Sequence, residues 1–422
     1  MFILYDLIFL IFILIYLPVY LFKGKFHRGF LARLGVLPKG LALDRPIWVH
    51  AVSVGEAKSV RGLVAELRKM YPHKKFVIST VTPTGNKIAL GLKKPGDLVT
   101  YLPLDFSFIV QGVIKRVDPA LFIIAETEIW PNLITCLYKK GVPIVTVNAR
   151  ISEASFKGYS AVKLLIKPLL NKINLFCSQT VSDAERLKKL GVAAEKIKVT
   201  GNMKFDQLAP IQASGYRERL GLGLGERLFV AGSTHPGEEE IILGVYKSLL
   251  PDFPGLRLLI APRHPQRAVQ LLKVVSGLDL SGLEISKLSS QRSSGAANPV
   301  FILDTVGELA NFYTAADIVF VGGSLVKKGG QNILEPAACG KPVVFGPHMF
   351  NFRDIAEMFL KNNAAIMVKD SGSLLTAVAR VLKDGSLAAQ LSANAASVIP
   401  KNQGATQKNS QALRVIGLAD GN

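Results

Sequence analysis

Short apolar runs alternate along this chain with loops rich in glycine, serine or charge and then with helical patterns. Ile47 to Val49 reads as a buried strand, Ser53 to Gly55 as the loop at its carboxyl end, and Glu56 to Lys69 as the helix behind it. Phe76 to Ser79 leads into Thr80 to Gly85 and a helix. Leu121 to Ile124 leads into Glu126-Thr127-Glu128-Ile129-Trp130-Pro131-Asn132 and a helix, and Ile144 to Val147 into Asn148-Ala149-Arg150. Strands that alternate with helices predict a parallel sheet, and ligands bind beyond the carboxyl ends of such strands. The strand Ile197 to Val199 and the segment Thr200 to Asp206 close this first set, which places Lys204 in an expected interdomain cleft.

A second set follows. Leu228 to Ala231 leads to Gly232 to Glu240, Leu256 to Ile260 to Ala261-Pro262-Arg263-His264-Pro265, and Val300 to Leu303 to Asp304-Thr305-Val306-Gly307-Glu308-Leu309. Ser276 to Asn298, rich in serine and glycine, reads as a variable loop, and the segment from Asn402 as a helix packing back across the domain junction. Between them, Ile318 to Val321 runs into a double glycine, a serine, Lys327-Lys328 and a second glycine pair. Asn332 to Ala338 then has helical character, and Val343 to Phe345 supplies the next short strand. Strand, glycine-rich loop and helix start together predict an anion site, with phosphate as the natural guest. Glycine pairs alone are weak evidence, and an ordinary turn before a helix is the simpler reading.

The first 22 residues differ from all of this. Phe2 to Phe22 is apolar apart from Asp6 and just long enough to cross a bilayer, while Pro18 and the aspartate suit a shallow or tilted insertion equally well. No basic residue precedes the run and no small-residue cleavage site follows it, which argues against a cleaved leader. Lys23, Lys25, His27, Arg28 and Arg33 come next and predict that the rest of the chain stays on the cytoplasmic face.

Composition narrows the partners. The chain has 422 residues, enough for two domains, and a formal net charge of +20, which favours anionic partners. Its basic residues are scattered rather than interleaved with aromatics, so nucleic acid is the weakest of these. Three widely spaced cysteines, Cys136, Cys177 and Cys339, suggest reduced core thiols, and the six histidines lack ligand spacing, so no metal is expected.

The chemistry-bearing residues gather on predicted rims. Glu56 follows a glycine at a helix start, where its carboxylate can act as general base on a sugar hydroxyl; the simpler reading is that it caps its helix. Glu126, Glu128 and Arg150 share the rim, and Glu126, Trp130 and Asn132 can bind a polar acceptor or orient the base, or else belong to a loop that merely closes over the sheet. Arg263, set between two prolines after a strand, predicts a fixed fork for phosphate or carboxylate.

Two successive α/β domains of Rossmann-like, doubly wound type, facing across a cleft, describe the glycosyltransferase-B architecture. Six blocks resemble the family of 3-deoxy-D-manno-octulosonic acid (Kdo) transferases of lipopolysaccharide synthesis: His50 to Glu56, Glu126 to Asn132, Asn148 to Arg150, Gly201 to Asp206, Ala261 to Pro265 and Val321 to Phe352. The resemblance implies a membrane anchor over residues 1–22, an acceptor domain over 23–206, a donor domain over 207–400 and a returning C-terminal helix over 401–422. It also implies inverting transfer of Kdo from CMP-Kdo to lipid IVA, a tetra-acylated anionic glycolipid, at the bacterial inner membrane. Glu56 would be the base, and Glu126 and Lys204 would stabilise the transition state. CMP would be held by Pro262 and Arg263, by Val306, Gly307 and Glu308, and by Asn332, Ile333, Leu334 and Glu335. No metal and no other cofactor is implied. Two other readings stay open at this point: a glycosyltransferase using a uridine nucleotide sugar, and a non-catalytic protein that binds anionic lipid.

Overall fold

The computed structural model describes residues 2–22, 29–208, 215–276, 284–290 and 299–417. The basic residues at 23–28 and most of the serine-rich loop after Ser276 lie outside these. The chain divides into two compact units, the first combining Met1–Gln207 with the segment from Asn402, the second spanning Leu208–Lys401.

Among the described residues the first unit has seven strands: β1 (Ile47–His50), β2 (Phe76–Thr80), β3 (Leu98–Tyr101), β4 (Leu121–Ala125), β5 (Ile144–Ala149), β6 (Leu175–Ser178) and β7 (Ile197–Val199). They pair in parallel in the order β3-β2-β1-β4-β5-β6-β7. Every residue of β1, β2, β4 and β5 is buried, because helices cover both faces, and this is why those strands read as largely apolar runs, with polar residues mostly near their carboxyl ends. Trp48 meets Phe122 edge to face at 5.1 Å on one side of the sheet. On the other side Val49, Ile78 and Ile123 pack with Leu63 and Leu67. The helix expected over Glu56 to Lys69 forms as two, Val54–Ser59 and Arg61–Met70, with Val60 as the joint.

The second unit repeats the plan with β8 (Arg227–Thr234), β9 (Leu256–Pro262), β10 (Glu284–Lys287), β11 (Pro299–Ile302), β12 (Ile318–Val321), β13 (Val343–Phe345) and β14 (Ile366–Met367). All are parallel, in the order β10-β11-β9-β8-β12-β13-β14. Each sheet therefore has one place where neighbouring strands send their chains to opposite sides. It falls between β1 and β4 in the first unit and between β8 and β12 in the second. Such reversals leave a crevice at the strands' carboxyl ends, and functional side chains belong there.

The C-terminal helix Ala405–Arg414 belongs to the first unit, where Ala405, Ala412 and Leu413 join the core. Asp206 fixes its start by accepting the Gly404 and Thr406 N–H groups at 2.7 and 2.6 Å. At the other end of the chain Phe2–Phe22 is a helix. Among the described residues no helix is long and apolar enough to cross a membrane, so the anchor expected there is left without support from the fold.

Candidate active site

The crevice between β1 and β4 collects the carboxylates. Ser53 caps the helix Val54–Ser59; its hydroxyl donates to Glu56 Oε1 at 2.8 Å, and the Val52 N–H donates to Oε2 at 2.7 Å. The cap of this helix is thus Ser53, not Glu56, and the two bonds fix the Glu56 carboxyl in one place. Burial pushes that carboxyl up to about 7, reinforced by the charge of Glu126 and, more weakly, of Glu128, while the Val52 and Ser53 bonds oppose the rise. A carboxyl poised near neutrality accepts a proton readily at cellular pH.

Glu126 follows β4 with φ 58°, a left-handed conformation that turns the chain at the crevice, and its N–H donates to the Val147 carbonyl at 2.9 Å. Lys204 Nζ lies 3.3 Å from Glu126 Oε1, both side chains being mostly buried. The turn carrying Lys204 is held from beneath. Asn148, fully buried and also left-handed at φ 54°, accepts the Met203 N–H at 3.0 Å, and Asn202 accepts the N–H of Lys204 itself at 3.0 Å. Glu128 completes the group, its carboxyl raised to about 7 by burial and by the neighbouring Glu126 charge. Glu56, Glu126 and Lys204 are therefore brought together. The positioning role of Asn148 was not foreseen, although an asparagine ending an apolar strand is the residue that best tolerates such a backbone.

In the second unit the expected donor residues lie on loops after neighbouring strands. Pro262 ends β9 and the exposed Arg263 follows, its N–H donating to the Thr234 carbonyl at 2.9 Å. After β11 come Val306, 82% exposed, Gly307 at φ 91°, and Glu308, whose carboxylate is paired with Arg219 and accepts the Thr305 hydroxyl. After β12, Ile333 and Leu334 are fully buried, while Asn332 Nδ2 donates to Glu335 Oε1 at 3.0 Å.

The anion site expected in the glycine-rich loop is built differently. The helix after it, Leu334–Ala338, has five residues, and Asn332 Oδ1 already accepts the Leu334 N–H at 3.1 Å. The N–H groups of Gly323, Ser324 and Leu325 all donate to the fully buried Glu238 carboxylate, at 2.6, 2.9 and 3.0 Å, and His235 N–H joins them at 2.9 Å. The chain's own carboxylate fills this nest. Positive side chains stand near it: the half-buried His235 is held below its usual value, hence towards the neutral ring, by burial and then by His264, Lys328, Arg263 and Arg267. Among the described residues no three His, Cys, Asp or Glu side chains group as metal ligands.

Two parallel-sheet α/β units, each with such a reversal, are the glycosyltransferase-B class of fold. Solved structures agree at this level: S. aureus MnaA with UDP aligns over 88% of this chain and 97% of that one at 15% identity and TM-score 0.58. A UDP-N-acetylglucosamine 2-epimerase from Listeria monocytogenes does so over 88% and 96% at 12% identity and TM-score 0.60. The chain belongs to the 3-deoxy-D-manno-octulosonic acid transferase family. The family model for that transferase matches residues 28–207, and a model for group 1 glycosyl transferases matches residues 241–398. The Haemophilus influenzae transferase is 36% identical over 86% of this chain and 85% of its own length. That of Chlamydophila psittaci is 33% identical over 86% and 84%. The protein is accordingly a glycosyltransferase that transfers Kdo in lipopolysaccharide synthesis.

Proposed function

We propose that the donor is CMP-Kdo, the acceptor is lipid IVA, and transfer inverts the anomeric centre. The observation that carries the mechanism is the fixed, near-neutral Glu56 beside Glu126 and Lys204. The Glu56 carboxylate takes the proton from an acceptor sugar hydroxyl as that oxygen bonds to the anomeric carbon of Kdo. The bond from that carbon to the CMP phosphate oxygen breaks, and its electron pair leaves with CMP. Lys204, positioned by Glu126, offsets negative charge in the transition state. Pro262 and Arg263, the turn Val306 to Glu308, and Asn332 to Glu335 hold CMP, with Arg263 meeting phosphate charge and Glu335 accepting ribose hydroxyls. These cations belong to the chain, so no step is assigned to a metal. The excess of positive charge suits an anionic lipid acceptor, and the apolar N-terminal helix suits attachment to the cytoplasmic face of the bacterial inner membrane.

The test is transfer of Kdo, generated in situ as CMP-Kdo, to a tetra-acylated lipid A precursor, with chelator present. Product from the wild type, its near-complete loss in Lys204→Ala and retained CMP binding are the expected results. A folded protein that binds CMP but makes no product refutes the acceptor; loss of activity on chelation refutes the metal-free mechanism.

A further inference from the structure

The N-terminal helix is tied to the first unit near its beginning. Asp6, its single charged residue, accepts the Ser107 N–H at 3.0 Å, the Ser107 hydroxyl at 2.5 Å and the Asn132 side-chain amide at 2.7 Å. Tyr5 hydrogen-bonds Asp105, and Phe9 meets Phe106 edge to face at 5.1 Å. Tyr5, Asp6, Phe9 and Ile13 are the half-buried positions, spaced as one face of a helix should be. The remaining faces expose Leu4, Leu7, Ile8, Leu10, Ile11, Leu14 and Ile15, each by more than two fifths, and Phe108 beside the docking point is 69% exposed. Water is a poor neighbour for so much contiguous apolar surface.

We infer that this helix lies within one leaflet of the bilayer, fastened to the acceptor unit through Asp6, and does not cross to the far side. The inference rests on the membrane reading proposed above. A spanning helix must carry one end a bilayer's thickness away from the globular unit. Its first turns cannot go, because Asp6 holds them against Ser107 and Asn132. Its last turn cannot go either. From Asp6 to Phe22 the rise is about 24 Å, and the chain is back at the unit by Gly29, which lies against the Tyr101 ring. Seven fully extended residues reach about 25 Å, so a return would draw Lys23, Lys25 and Arg28 through hydrocarbon, where each charge is strongly disfavoured. A helix fastened near its start offers its apolar faces sideways, and hydrocarbon beneath the headgroups is the partner that accepts them all. A second copy of the chain would cover only one face.

Leu4, Ile8, Ile11 and Ile15 form one stripe. The test places a nitroxide at each in turn, through single cysteines in a Cys339→Ala background, and measures its depth in vesicles of phosphatidylethanolamine and phosphatidylglycerol. An in-plane helix puts the four at one shallow depth, and Asp6→Ala, which releases the tie, spreads them. Depths that differ by about 16 Å from Leu4 to Ile15, the rise of a transverse helix, overturn the inference, as do vesicle-bound chains whose four labels all stay out of the lipid. Protein left in the supernatant refutes the membrane reading itself, a result recognisable before any depth is measured.

Discussion

Replacing Glu56 by glutamine removes a half-buried titrating group while keeping its shape, and the structure sets an effect that grows from low to high pH. In the folded chain the carboxyl is raised from 4.5 to about 7. Between those values the unfolded chain releases the proton while the folded chain keeps it. Wild-type stability from this group is therefore full below pH 4.5 and declines as the pH rises to 7, where ionisation has caught up. At about 1.4 kcal/mol per pH unit the decline totals roughly 3 kcal/mol. Glutamine escapes it and can keep both contacts, its amide oxygen accepting from Val52 N–H and its amide nitrogen donating to the Ser53 hydroxyl oxygen. Glu56→Gln should thus be about as stable as wild type at pH 4 and more stable by roughly 3 kcal/mol at pH 8. The two tryptophans, Trp48 and Trp130, both lie in the first unit, so urea unfolding followed by tryptophan fluorescence reads that unit alone. A wild-type-to-variant difference that stays constant across this range refutes the raised carboxyl, and with it the account of Glu56 as a base poised near neutrality. The same variant should lose transfer activity by roughly two to four orders of magnitude.

Three further outcomes follow from particular contacts. Glu238→Ala leaves three loop N–H groups and that of His235 without their acceptor, and should destabilise the second unit by more than about 3 kcal/mol, read by calorimetry with and without CMP. Gly322→Ala would set a Cβ 2.6 Å from both the Ser233 oxygen and Thr234 Cα, so β8 and β12 must part; a soluble variant with unchanged melting would contradict the packing. Asp206→Ala removes the acceptor for Gly404 and Thr406, and should cost about 1–2 kcal/mol and speed proteolysis near Gln403.

The central strands could be read from the sequence because burial on both faces leaves their residues no polar alternation to obscure. At the edges, β7 was read at Ile197 to Val199, but β3 and β14 were not. β3 alternates buried and half-buried residues, β14 has two residues, and neither carries enough apolar length to stand out from a loop. Glu56, Glu126 and Lys204 were legible for a simple reason: each follows a strand, and strand ends converge. The Glu238 clamp was invisible because it depends on a partner 85 to 87 positions away; locally, Glu238 is only one of three acidic residues in a helix's first turn. The helix expected to bind an anion through its start is too short, and the loop amides expected to help are already engaged.

The return of the chain to the first unit has a consequence for how the protein is made. Residues of the segment from Asn402 complete a core whose other members, Leu63, Leu67 and Met203, are synthesised some two hundred residues or more before. The second unit, continuous in sequence, has all its parts once Lys401 has left the ribosome. The unit synthesised first is thus the last to be finished, and it waits with one wall open while its neighbour folds. A premature stop just after Lys401 would spare every residue named for the donor and every residue named for catalysis, yet it would disable the unit that holds Glu56. Damage at the end of the message would appear at the beginning of the protein.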